Sequence, residues 1–181
     1  MHLTIKELLD YTDEERAKWR GWFGEHGGEP LKTALAGEVH RNVGALILHA
    51  FWAEMFYARW MRGETLTQDS EVVKKNKDLP PDDVDQLFDF GLRARREMRA
   101  FADAASREEW EKVYEVESGG FHLRGSARKL IAHILVHEIR HWAQVAVVVR
   151  QDGLAPPGDH DLCFSESFGP LLKRVDGGGV E

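Results

Sequence analysis

A single cysteine, Cys163, stands among the 181 residues. One thiol excludes an internal disulfide and any thiolate metal cluster, and it fits a reducing cytosol. Its surroundings match no protease or redox motif, so it reads as a small, semi-buried apolar residue. Long hydrophobic runs are also missing. No stretch of 18 apolar residues exists to span a membrane, and Lys6, Glu7 and Asp10 interrupt the apolar segment that a secretion signal needs. Basic charge is in the minority: 24 Lys and Arg against 31 Asp and Glu leave a formal charge of −7, which removes the electrostatic footprint of a nucleic-acid binder and disfavours anionic membranes. The expectation is a cytoplasmic protein with neither nucleic acid nor membrane as a partner.

What is present suits a soluble globular chain, because 43% hydrophobic residues alongside 30% charged ones can build one core under a solvated surface. A chain of this length reads as one domain over residues 1–170, with 171–181 a tail whose closing GGGVE is expected to be disordered. Four segments carry helical periodicity. The first covers about residues 4–26. Thr12 followed by Glu15 could instead cap a separate short helix after a break near Asp10. The second starts at the cap Asn42, carries only Glu54 and Arg59 as interior charges, and stops at Gly63. A polar crossover, ETLTQDSEVVKKNKDLP, follows. The third covers about residues 82–105, with Arg93, Arg95, Arg96 and Arg99 lying off its apolar stripe as a solvated face. Alternation around Ser118-Gly119-Gly120 predicts a hairpin, after which Ser126 caps a last helix that ends at Asp152 and Gly153. The fold expected is all-α: a four-helix bundle with a long crossover between helices two and three and a short hairpin before the last helix.

The last helix contains HILVHEIRHWAQVAVVV. At about 100° per residue, His133, His137, His141 and Gln144 fall within roughly 40° of one line, in an otherwise apolar strip. Buried imidazoles without partners cost about 1–3 kcal/mol each, a cost that a metal bound to the neutral rings removes. An i, i+4 histidine pair is a two-toothed metal clamp that needs a further ligand. His49 in helix two is the candidate, because the small residues Ala45 and Ala53 flank it and leave room for an ion. His40 lies nine residues earlier, before the cap, and reads as a surface residue, as do His2, His26, His122 and His160. Trp19, Trp22, Trp52 and Trp60 read as core.

The letters HEIRH also match the H-E-x-x-H helix of zinc proteases, in which Glu138 would be the general base. The extended form of that motif fails, with Gln144 at its glycine position and Val147 at its histidine position. No upstream sheet offers an edge to a peptide. Glu138 could orient a ligand or act as a base, and an ion pair with Arg140 or another cation is an equal reading.

LILHAFWAE in helix two and HEIRHWAQV in the last helix, in this order and around a long crossover, resemble the DinB-like, YfiT-type superfamily of metal-binding four-helix bundles. The resemblance runs from about residue 4 to 152. It implies that His49, His137 and His141 hold a divalent ion, with nickel or zinc expected, at one open end of the bundle. Gln144, His133 and Glu138 would then support the ligands from behind or line the pocket. Many relatives carry Arg-Gly where this chain has Trp142-Ala143, so the chemistry of the pocket departs from theirs. The superfamily includes thiol S-transferases and metal-dependent hydrolases, so the resemblance implies a small-molecule substrate, with a low-molecular-weight thiol preferred. A metal-activated thiol needs no protein nucleophile, and none is evident here. A non-catalytic metal- or ligand-binding stress protein is the alternative. Relatives are often dimeric, so a homodimer is expected.

Overall fold

The computed structural model describes residues 4–36, 39–64, 79–118 and 121–158, together with 162, 165 and 167. Most of the polar crossover, Cys163, His2, His160 and GGGVE therefore lie outside the described residues. The order is α1 (Ile5–Glu25), a 3-10 turn (Glu29–Lys32), α2 (Val43–Met61), α3 (Val84–Ala104), a short α4 (Arg107–Glu111), strands β1 (Val113–Ser118) and β2 (Phe121–Ser126), and α5 (Ala127–Gln151). The protein is mostly helical with one small two-stranded sheet. Sequence periodicity misses α4, which is only five residues long and is set by the Ser106–Glu109 capping box.

The helix boundaries follow from local chemistry. Thr4 and Glu7 form a capping box at the start of α1. The Asn42, Asp83 and Ser126 side chains accept from the backbone N–H three residues on, at the starts of α2, α3 and α5. Beyond α5, Gly153 takes a φ of 78°, a conformation open to glycine. No break occurs near Asp10. The Thr12 hydroxyl donates back to the Leu8 and Leu9 carbonyls, which keeps it inside one continuous helix instead of capping a second. The expected hairpin pairs antiparallel from Val113 with Ser126 to Ser118 with Phe121, and Gly119 and Gly120 lie outside the described residues.

The four long helices touch in a ring, α1 with α3 and α5, and α2 with α3 and α5. Trp19, Phe23, Phe51, Phe88 and Trp142 fill one half of the core, with Trp19 and Trp142 stacked 5.5 Å apart. Met98, Ile131, Ile134 and Leu135 fill the other half. At Gly91 on α3 a Cβ would lie 2.7 Å from the Phe51 ring of α2, so only glycine permits that approach.

Between the halves lies a buried polar layer with one charged residue from each long helix. Arg16 of α1, Glu54 of α2, Arg95 of α3 and Glu138 of α5 are all at most 4% exposed. Arg16 meets Glu138 at 2.6 and 2.8 Å and Glu54 at 2.5 Å. Arg95 meets Glu54 at 2.6 Å and Glu138 at 2.8 Å. The remaining donors reach Gly91 O, Leu9 O and Thr12 Oγ1, while Trp142 Nε1 donates to Glu138. The reading of the arginine run as a solvated face holds for Arg93 and Arg96, which are exposed, and is corrected for Arg95 and Arg99. Arg95 faces inward, Arg99 binds Asp10 and Asp13, and a run of charges looked solvated only because the opposing carboxylates come from distant helices. Burial alone would raise the Glu138 pKa, but Arg16 and Arg95 outweigh it and hold the carboxyl below its usual value.

Truncation of one partner leaves opposite charge buried and unpaired. Glu54→Ala is therefore expected to cost about 3–5 kcal/mol of folding stability. Urea denaturation of the two proteins measures this, and a loss under about 1 kcal/mol would show that water or rearrangement compensates the two guanidiniums.

Candidate metal centre

His49 lies on the second turn of α2, whose axial rotation is fixed by apolar contacts and by Glu54. His137 and His141 are one turn apart on α5, so their rings project from the same face toward α2. The three side chains meet through one atom each. His137 Nε2 is 3.0 Å from His141 Nε2 and 3.3 Å from His49 Nε2. Ring centroids are separated by 4.2 Å for His137 and His141, 5.1 Å for His49 and His137, and 5.5 Å for His49 and His141. Each of the three is half-buried, and together they form a group able to hold a metal among the described residues.

Two features test whether a divalent ion fits. At zinc–nitrogen distances near 2.05 Å, tetrahedral ligands sit about 3.3 Å apart, close to the observed nitrogen spacings. The second is the proton arrangement. Gln144 Oε1 accepts from His141 Nδ1 at 2.6 Å, so neutral His141 carries its proton on Nδ1 and turns an Nε2 lone pair toward the cluster. His137 Nδ1 is buried without a hydrogen-bond partner. Three imidazoles pressed together share at most a few weak hydrogen bonds, whereas a cation at their centre satisfies all three lone pairs. The residues fit a divalent ion.

Burial keeps two of the donors neutral. Burial, then His40 and His141, lowers the His49 pKa to about 4. Burial, then His141 and His49, lowers that of His137 to about 4. Both are unprotonated near neutrality, the form that binds metal.

The other expected site residues fall in different places. Gln144 is exposed and bonded to His141. It also lines a cavity of about 610 Å³ with Leu35, Leu46, Ala143 and Val147. His133 is exposed, its ring 5.7 Å from that of His137 and 6.2 Å from Tyr57. Glu138 is neither a pocket residue nor a partner of Arg140. It is 1% exposed and held by Arg16 and Arg95, because one step along the helix turns it about 100° into the core. Trp142, at the position where many relatives have arginine, also faces the core, stacked on Trp19. His122 is exposed beside Glu115, as expected of a surface residue.

His40 lies before the cap in a surface bend, as expected, but it is half-buried and its ring faces the cluster, which the sequence reading did not foresee. Its ring is 4.4 Å from that of His49 and 6.5 Å from that of His141. Helical periodicity could not reveal it, since it lies in the bend before α2. Its one sequence signal is its place two residues before the cap Asn42, which returns the chain to the start of the helix bearing His49.

A mostly helical protein with three imidazoles converging between two of its long helices is the class that fold and site define. A DinB family model matches residues 1–169, and the chain belongs to that family. Among solved structures it resembles a DinB-like protein from Bacillus subtilis, at 13% identity and a TM-score of 0.53, over 86% of this chain and 96% of the other. That likeness is one of fold. No curated protein matches the chain.

The depressed histidine values carry a stability consequence. The unfolded chain protonates these rings near pH 6.5, whereas the folded metal-free protein resists until about pH 4. Between those values the unfolded state binds more protons, so stability falls as pH falls. The metal-free protein is expected to melt at a lower temperature at pH 5 than at pH 7. A double His49→Ala, His137→Ala variant should show a smaller drop. Equal drops in both proteins would show that these two rings do not resist protonation.

Proposed function

We propose that this protein is a divalent-metal-dependent enzyme acting on a small molecule, built on a four-helix bundle and holding nickel or zinc through His49, His137 and His141. The observation that carries the reading is the convergence of three Nε2 atoms with the His141 tautomer set by Gln144. Membership of the DinB family supports it. Three protein ligands leave a position for an exogenous ligand, as catalytic sites require and closed structural sites do not.

An ion bound there would act as a Lewis acid, lowering the pKa of a water or a thiol that reaches it. The protein's own residues would do the rest. Gln144 holds the His141 ring and lines the cavity beside it, so it is placed to contact the substrate as well as a ligand. Apolar Leu35, Leu46 and Val147 favour an uncharged substrate portion in that cavity. Thiol transfer is the preferred reaction, with hydrolysis second, because a low-molecular-weight thiol would bring the nucleophile that no described side chain near the cluster offers. A cytoplasmic setting suits such a thiol, and a homodimer is part of the proposal. No helix among the described residues is long and apolar enough to cross a membrane.

A non-catalytic metal- or ligand-binding protein is the alternative, in which the ion only ties α2 to α5. The zinc-protease reading loses its base. A general base must reach a substrate water, and Glu138 is enclosed by two arginines and Trp142.

Elemental analysis of untagged protein is expected to find one equivalent of divalent metal. His49→Ala and His141→Ala should each lose it while circular dichroism still reports a folded helical protein. Metal retained in both variants would sink the three-histidine site. The loaded protein should consume a small thiol in the presence of an electrophile and leave an unstructured peptide intact. Full metal occupancy without turnover of thiols or esters would favour the non-catalytic reading.

A further inference from the structure

The bend before α2 presents a histidine to the same space as the three already described. The backbone around it is anchored. Ala34 and Asn42 form an isolated antiparallel bridge, Leu35 N donates to Arg41 O, and Val43 N donates to Thr33 O. His40 sits just outside this clamp. Its neighbour Val39 is 96% exposed, so His40 sits at the surface side of the cluster, itself half-buried.

Its position is comparable with that of the cluster members themselves. Their centroid separations run from 4.2 to 5.5 Å. The His40–His49 separation of 4.4 Å falls inside that range, and the 6.5 Å to His141 lies one ångström outside it. The two rings are inclined by 33°, an overlapping arrangement in which His40 covers one side of His49. The convergent group itself consists of His49, His137 and His141. The candidate for a fourth imidazole nitrogen is therefore His40, whose ring already lies against that of His49.

We propose that His40 is a fourth, exchangeable imidazole ligand that closes the three-histidine metal centre and gives up its position when a substrate binds. The proposal rests on the metal reading given above. It also has a chemical motive. Three helix-borne ligands are held by packed elements, whereas a ligand from a surface bend can leave at little structural cost, so the open position would be protected at rest and available in use.

Full-length apoprotein loaded with one equivalent of Cu(II) supplies the test, with pulsed electron paramagnetic resonance counting the coordinated imidazoles. The zinc dissociation constant, measured against a competing chelator, is the second readout. Two variants separate ligation from packing: His40→Ala removes the ring, and His40→Phe keeps a ring over His49 without a nitrogen. Four imidazoles are expected in the unaltered protein and three in each variant, with zinc affinity weakened at least ~10-fold in both. Three imidazoles in all of the proteins, or a His40→Phe variant equal to the unaltered protein, would overturn the role of His40 and leave the three-histidine centre standing. Failure of the unaltered protein to take up either metal would overturn both.

Discussion

Everything at the candidate metal centre depends on how α2 and α5 are rotated about their axes, and the buried ion-pair layer fixes that rotation. Arg16, Glu54, Arg95 and Glu138 contribute two charges of each sign, one from each long helix, so the layer is neutral only when all four helices are in register. A one-residue slip of α5 would swing Glu138 by about 100° and strand two guanidiniums in the core. Buried ion pairs of this kind add little net stability compared with apolar packing, since desolvation offsets the attraction. Their effect here is to penalise wrong arrangements. Glu138 follows His137 directly, and Glu54 follows His49 by five residues. The same layer that excludes wrong registers therefore aims the imidazoles at one another.

The layer also explains why the two polar clusters on α5 can lie so close together. Ion pairs satisfied within themselves project little net charge onto the neighbouring histidines. The low pKa values of His49 and His137 arise from burial first and from the other imidazoles second. Helix α5 thus carries on its core side one carboxylate, neutralised by arginines of α1 and α3, and on the side facing α2 the lone pairs of its histidines. Trp142 marks the boundary, stacking on Trp19 while donating to Glu138.

Much of this was legible in the sequence, for specific reasons. Asn42 and Ser126 cap where they were expected to, because an N-cap is a local interaction within four residues. The pair His137 and His141 could be read from an i, i+4 spacing, and His49 from the small residues beside it. For Glu138 an ion pair with some cation could be read but not which cation, and the burial of Arg95 could not be read at all. Charged residues ordinarily signal solvent, and the partners that reverse this rule are 41 and 43 residues from Arg95 and 122 residues from Arg16. His40 was missed for a different reason, since a bend has no period from which a direction can be inferred.

The three rings of the cluster are not equivalent, and the difference bears on how the site fills. His141 is pre-set: Gln144 holds the proton on Nδ1 and turns the Nε2 lone pair toward His137. His137 has no such partner at Nδ1, yet its Nε2 is the atom that approaches both of the other rings. In a metal-free protein a proton shared at its Nε2 can serve only one neighbour at a time, so one of the two close nitrogen contacts goes without a hydrogen bond. Binding a cation removes that conflict at His137 while leaving the His141–Gln144 bond intact. The driving force for occupancy is therefore concentrated at the central histidine, and the orientation of the site at the outer one. The residue that gains most from an ion sits next in sequence to Glu138, the residue that locks the fold.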